Sequence, residues 1–170
     1  AGLKLVYSPL NGSGLVPVMR VLQDIGIDDI TIVPEQQYPD GNFPTCPYPN
    51  PEIREAMQLG LDRLKELDGD ILIATDPDAD RVGIAVAHNN EFKLLTGNDV
   101  GALLLNYILE RKTANGTLPK NPIAVKTIVT TELAAEIAKA YGVEIMNVLT
   151  GFKYIGEKMT NFAQTGSHTY

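Results

Sequence analysis

Cysteine is nearly absent from this 170-residue chain, with Cys46 the only one. An intrachain disulfide is therefore excluded, and a reducing, cytoplasmic setting is the expectation. Cys46 lies in a proline-flanked stretch that reads as loop, and a free thiol without chemical duty is expected there. Long apolar runs are missing too. None approaches the ~20 residues a spanning helix needs, so no membrane partner is expected. The opening Ala1-Gly2-Leu3-Lys4 has no signal-peptide architecture and starts close to a strand, which reads as an interior piece of a longer protein. Basic patches are absent as well. Fourteen Lys and Arg face 21 Asp and Glu, the net charge is −7, and Arg111-Lys112 is the only adjacent basic pair. Such a surface repels nucleic acid, so no nucleic-acid partner is expected. What is present is ordinary for a folded domain: 44% hydrophobic and 21% charged residues, enough for a packed core.

Apolar and turn-forming residues alternate along the chain. Residues 3–7 read as a strand, broken by Ser8-Pro9-Leu10-Asn11-Gly12-Ser13-Gly14. Apolar positions 15, 18, 19, 22 and 25 have helical spacing, and 30–33 is a second short strand. Residues 34–51 contain six prolines, which excludes regular structure. Asn50, Pro51 and Glu52 carry the signature of a helix start, and apolar positions run on one face to Leu67. Residues 70–75 read as a buried strand. Residues 82–87 and 91–95 read as a hairpin turning at Asn89-Asn90. In the second half, a helix is expected over 100–111, opened by Thr96-Gly97-Asn98-Asp99, then a polar linker over 113–122. A strand follows over 123–129, and a helix capped by Thr130 or Thr131 runs to Tyr141. A strand over 143–149 and a helix around 154–162 complete it, and the tail turns toward a further strand. This pattern predicts an α/β fold: a layered mixed, mainly parallel sheet with helices on both faces, and a second unit left incomplete with only two clear strands.

The chemistry concentrates in Asp76-Pro77-Asp78-Ala79-Asp80-Arg81. Aspartates at i, i+2 and i+4 in an extended segment point the same way. Three carboxylates that close repel one another unless a cation intervenes. A hard divalent ion with oxygen ligands fits, and Mg²⁺ keeps further positions for water or phosphate. The loop also follows a buried strand, at the end where open α/β sheets hold ligands. A calcium loop of the EF-hand type is excluded, because it needs Gly at its sixth position and Glu at its twelfth. Here these are Arg81 and Ala87. A solvated acidic turn is the plain alternative on spacing alone. Arg81 serves either as a salt-bridge partner or as a bidentate grip on a phosphoryl group.

Four stretches, in order, resemble the α-D-phosphohexomutases, the phosphoglucomutase/phosphomannomutase family. Ser8 to Gly14 resembles the opening of that family's second domain, and Asp76 to Arg81 its metal loop. Thr96-Gly97-Asn98-Asp99 is similar to the start of its third domain, and Thr150-Gly151-Phe152-Lys153 to its Thr-Gly-x-Lys substrate loop. Pro77 and Ala79 inside the acidic loop resemble the branch containing phosphoglucomutase and phosphopentomutase. The resemblance implies a middle-domain fold of phosphoglucomutase type, with a metal-loop domain over 1–95 and part of a substrate-loop domain over 96–170. It also implies a Mg²⁺-dependent phosphosugar mutase, most readily for glucose, interconverting sugar 1-phosphate and 6-phosphate through a sugar bisphosphate. Asp76, Asp78 and Asp80 become metal ligands. Arg81 contacts substrate or the transferring phosphoryl group, Lys153 acts at a sugar hydroxyl, and Thr150 and Gly151 bind substrate.

The chain also departs from the family. No Thr-Ala-Ser-His-Asn-Pro-like stretch surrounds Ser8, Ser13 or Ser167, so the phosphoserine is expected outside the chain, and the chain alone is expected to be inactive. The Gly-x-Glu-x-Ser-like sugar-specificity stretch is missing too. A non-enzymatic α/β module binding a divalent cation or phosphate is the alternative.

Overall fold

The computed structural model describes residues 2–89 and 91–170. They fall into two compact units, Ala1–Gly97 and Asn98–Tyr170.

The first unit is built on a five-stranded sheet. Its strands are β1 (Leu5–Ser8), β2 (Ile30–Ile32), β3 (Ile71–Thr75), β4 (Val82–His88) and β5 (Glu91–Leu95), in the order β2-β1-β3-β4-β5. Strand β1 runs parallel to both β2 and β3. The remaining pairings, β3 with β4 and β4 with β5, are antiparallel. Connection length accounts for the change. Helices α1 (Leu15–Asp24) and α2 (Arg54–Glu66) provide the long crossovers parallel pairing needs, whereas the short loops after β3 and β4 permit only antiparallel return. The expected hairpin forms, with His88 opposite Glu91; of its turn, Asn90 lies outside the described residues.

Side chains on β1 and β3 alternate between the two faces, as a period of two requires. Val6, Leu72 and Ala74 pack against Met57, Leu61 and Leu64 of α2. Leu5, Tyr7, Ile71 and Ile73 pack with Val18, Met19 and Leu22 of α1. Both faces are thus covered, which is why β3 reads as an unbroken apolar run. Burying each large apolar side chain contributes roughly 1.5–3 kcal/mol before entropy is counted.

The proline-rich stretch is ordered but irregular, with a single 3-10 turn at Pro34–Gln36. Polar bonds hold it. Buried Gln36 accepts from the Ser8 hydroxyl at 2.6 Å and donates to Thr45 Oγ1 at 3.2 Å. The Asn11 amide donates to the Tyr38 carbonyl at 2.9 Å.

Helix α2 does not begin where Asn50 and Pro51 predict. Its first residue is Arg54, and its N-cap, Ile53, is extended with no side-chain cap. Asn50 instead accepts the Glu52 amide at 3.0 Å. An Asx turn competes for the same donor as a helix cap, and here the turn wins.

The second unit holds α3 (Gly97–Ala114), β6 (Ile123–Thr127), α4 (Leu133–Ala140), β7 (Glu144–Val148) and α5 (Phe152–Thr165). Helix α3 starts three residues earlier than its sequence suggests and overruns the expected linker. Asn98 therefore lies inside the helix, where its side chain accepts the Thr131 amide at 2.9 Å. Neither Thr130 nor Thr131 caps α4: its N-cap is Glu132, with no side-chain cap bond, and the Thr131 hydroxyl instead accepts the Leu133 amide at 3.3 Å in a local turn. Strands β6 and β7 pair in parallel, so three of the five strand pairings among the described residues are parallel. Leu109, Ala138 and Val143 form the small core. The tail adds a parallel bridge, Pro122 to Thr169, beside β6. This sheet is small, as expected. Among the described residues, no helix is long and apolar enough to cross a membrane.

Candidate metal centre

The acidic loop is the connection from β3 to β4. Asp76, Asp78 and Asp80 each present a carboxylate oxygen, and these oxygens lie within 4.8 Å of one another. Asp76 is buried, whereas Asp78 and Asp80 are exposed. The loop curls because Ala79 takes a left-handed conformation, with φ +59°, and donates its amide to the Asp76 carbonyl at 2.9 Å.

Arg81 occupies both oxygens of Asp76. Its backbone amide donates to Oδ1 at 2.9 Å and its Nε to Oδ2 at 2.8 Å. Nε also lies 3.8 Å from Asp80 Oδ1, and half of the Arg81 side chain stays exposed. Burial alone pushes the Asp76 carboxyl up. The Arg81 amide, guanidinium and charge outweigh burial and hold it below the usual carboxylate range. Asp80 moves the other way: the Asp78 charge, then partial desolvation and the Asp76 charge, push it up. The Arg81 guanidinium is raised by its hydrogen bond to Asp76. Within one loop, then, one acid is fixed as a carboxylate and another is crowded by like charge.

This donor set suits a small hard cation. Octahedral oxygens at about 2.1 Å from Mg²⁺ stand roughly 3–4 Å apart, so the three carboxylates need little movement to share an ion. An open cavity of about 380 Å³ lies alongside, lined by Asp76, Asp78, Arg81 and the proline-rich residues Phe43, Tyr48 and Asn50. A larger cleft of about 750 Å³ lies at the opposite end of β3, near Gly69 and His88. It has mixed charge and none of the three aspartates.

The second predicted group lies in the other unit. Thr150 and Gly151 follow β7, and Lys153 is the second residue of α5. Gly151 has φ +133°, a conformation a side chain would strain, and it turns the chain from strand into helix. Lys153 is exposed, with Nζ 4.9 Å from the Tyr154 ring centroid. Because β6 and β7 are parallel, the loop after β6 leaves the same edge, and the Ile128 amide donates to the Val148 carbonyl at 2.9 Å. The structure thus brings Asp76, Asp78, Asp80 and Arg81 together in one unit, and Thr150, Gly151 and Lys153 in the other.

Sequence reasoning missed what supports the aspartate loop. Ser13 donates both its amide and its hydroxyl to the Pro77 carbonyl. The Tyr7 hydroxyl meets Thr75 Oγ1 at 2.9 Å in the core. These partners are 64 and 68 residues apart. The one local hint was the Gly-Ser-Gly run at 12–14.

Residues 1–90 match the family model for phosphoglucomutase/phosphomannomutase, alpha/beta/alpha domain II, and residues 96–166 match that for domain III. The chain belongs to the phosphoglucomutase/phosphomannomutase family. Within that family it is 37% identical over 163 residues to a phosphomannomutase of Mycoplasma genitalium, covering 96% of this chain and 29% of that protein. It is 38% identical over 155 residues to a phosphoglucomutase of Staphylococcus saprophyticus, covering 91% of this chain and 28% of that one. The chain therefore spans under a third of these relatives. A crystal structure of a phosphoglucomutase/phosphomannomutase family protein from Burkholderia thailandensis superposes with a TM-score of 0.74 at 25% identity, over 96% of this chain and 32% of that one. An N-acetylglucosamine-phosphate mutase shares the fold at 17% identity, with a TM-score of 0.57.

Proposed function

We propose that this chain is the metal-binding and part of the substrate-binding portion of a Mg²⁺-dependent phosphosugar mutase of the cytoplasm, interconverting sugar 1-phosphate and 6-phosphate, with glucose phosphate the first substrate to test. The observation that carries the reading is the convergence of Asp76, Asp78 and Asp80 within 4.8 Å at the carboxyl end of a buried strand. Relatives bearing both phosphoglucomutase and phosphomannomutase names support the reaction class.

Asp76, Asp78 and Asp80 would hold the ion, whose positive charge offsets the negative charge of a transferring phosphoryl group. Asp76 is held charged by Arg81, and each of its oxygens keeps a second lone pair with which it would serve as a ligand. The exposed edge of Arg81 is free to grip a phosphoryl oxygen beside the loop. Asp80, crowded by its neighbours, gains most from a cation. In the second unit, Gly151 lets backbone approach the sugar, and the Thr150 hydroxyl offers a hydrogen bond. Lys153 supplies a mobile ammonium to stabilise or protonate a sugar oxygen. The phosphoryl group is carried by a serine this chain does not supply, and the sugar bisphosphate is the intermediate that turns over between its two transfers.

The test is a mutase assay of the full-length protein that contains this chain, over a panel of sugar 1-phosphates with a sugar 1,6-bisphosphate primer and Mg²⁺. Conversion abolished by chelation and restored by Mg²⁺ is expected. A full-length protein that binds Mg²⁺ but converts no sugar phosphate would instead be a binding module.

A further inference from the structure

We propose that Gly12 and Ser13 are positioning residues that preset the aspartate loop for a small divalent cation. This rests on the reading that Asp76, Asp78 and Asp80 hold such an ion.

Pro77 stands between the first two aspartates, so its position sets how their carboxylates converge. Its carbonyl accepts the Ser13 amide at 2.8 Å and the Ser13 hydroxyl at 3.0 Å, which uses both of its lone pairs. Gly12 lies against the same peptide. A Cβ built there would come within 2.6 Å of the Pro77 oxygen and nearer still to its Cα, so only glycine permits the approach. At Gly14, a Cβ would lie 2.5 Å from Thr75 Oγ1 and 2.6 Å from the Tyr7 hydroxyl. The Gly-Ser-Gly run therefore packs against Pro77 within the aspartate loop and against Thr75 at its base.

The clamp is itself rigid. Leu10 and Asn11 both hold positive φ, +48° and +56°, which a bulky leucine rarely adopts. Such strain persists only where surroundings over-determine it, and it concentrates at working sites. Here the surroundings are specific. The Ser8 hydroxyl accepts the Leu10 amide at 3.1 Å, the Asn11 amide donates to the Gln36 carbonyl at 2.9 Å, and the Gly12 amide to the Pro9 carbonyl at 2.8 Å. A strained, pinned loop bonded to the peptide between two ligands is built to fix ligand geometry.

The consequence is ion selectivity. Mg²⁺ and Mn²⁺ demand a near-ideal octahedron, whereas Ca²⁺ accepts looser and more varied coordination. Loss of the clamp should therefore weaken the small ions far more than Ca²⁺. A change that only loosened the fold would weaken all of them alike.

The experiment measures Mn²⁺ binding to the 170-residue chain by electron paramagnetic resonance, with Mg²⁺ and Ca²⁺ as competitors. The variants are Ser13→Ala, Ser13→Thr and Gly12→Ala, with Gly41→Ala as a control because its Cβ would meet nothing within 4 Å. Losses at residues that orient ligands run about 10–100-fold. We expect Ser13→Ala to lose about tenfold in Mn²⁺ and Mg²⁺ affinity and less than about twofold for Ca²⁺, with its urea midpoint little changed. Ser13→Thr restores binding, and Gly12→Ala loses at least as much as Ser13→Ala. Folded Ser13→Ala with the parent Mn²⁺-to-Ca²⁺ ratio overturns the proposal, and this variant decides if Gly12→Ala does not fold. Absence of Mn²⁺ binding by the unsubstituted chain overturns the cation reading itself.

Discussion

The loops after β3 and β7 both follow the carboxyl ends of strands, and they are built in opposite ways. The loop after β3 is braced at its first two residues. Asp76 is buried and doubly bonded to Arg81, and Pro77 is bonded twice to Ser13. The loop after β7 is far more open: Thr150 and Lys153 are exposed, Phe152 is 91% exposed, and Lys153 lies over the Tyr154 ring. The difference matches the tasks proposed for the two loops. Converging like charges costs energy without a scaffold, so an ion site calls for preorganisation. A single ammonium that would follow a sugar oxygen calls for reach instead.

Four substitutions sharpen or break this contrast. The largest effect is expected for Asp78→Asn in the full-length protein. Turnover at saturating sugar phosphate and limiting Mg²⁺ should fall by about a thousandfold, with thermal stability preserved because Asp78 is exposed. Near-normal turnover would remove Asp78 from the ligand set. Lys153→Ala should follow, lowering kcat/KM by about a hundredfold and leaving the melting temperature unmoved. A drop of several degrees there would show that the second loop is braced after all.

Thr75→Val tests the support under the first loop. It leaves the buried Tyr7 hydroxyl without its partner, a loss of about 1–3 kcal/mol by urea denaturation. The smallest effect concerns alkaline pH. Burial pushes the Tyr7 hydroxyl up, only partly offset by its bond to Thr75. The folded protein therefore keeps a proton that the unfolded chain loses from about pH 10. Stability contributed by neutral Tyr7 is complete below that pH and declines as pH rises toward the folded-state value. Tyr7→Phe should flatten this decline, read as the urea midpoint against pH; an unchanged slope would show that Tyr7 does not govern it.

The aspartate triad was legible because its signal is local: an i, i+2, i+4 spacing after an apolar strand. The helices on both faces of the first sheet were legible for a similar reason, since the period of apolar residues names the buried side. Helix starts were less so. Asn50 and Pro51 carry start signals, yet α2 begins at Arg54, because an Asx turn and a cap satisfy the same kind of orphan amide. The brace on Pro77 was not legible at all. It joins residues 64 positions apart, and no spacing rule reaches that far. The engagement of Arg81 with Asp76 was half visible, as one of two roles the sequence allowed, and the structure supplies the ion pair.

The bonds that tie Ser13, Ala79 and Arg81 into the aspartate loop also set how its amides meet solvent deuterium. Here the Ser13 amide is bonded to Pro77, the Ala79 amide to the Asp76 backbone and the Arg81 amide to the Asp76 carboxylate. Slow exchange of these three hydrogens is therefore expected before any cation is added. If Asp76, Asp78 and Asp80 hold a cation as proposed, adding Mg²⁺ should change these rates little in hydrogen–deuterium exchange, because Asp78 and Asp80 are the exposed carboxylates.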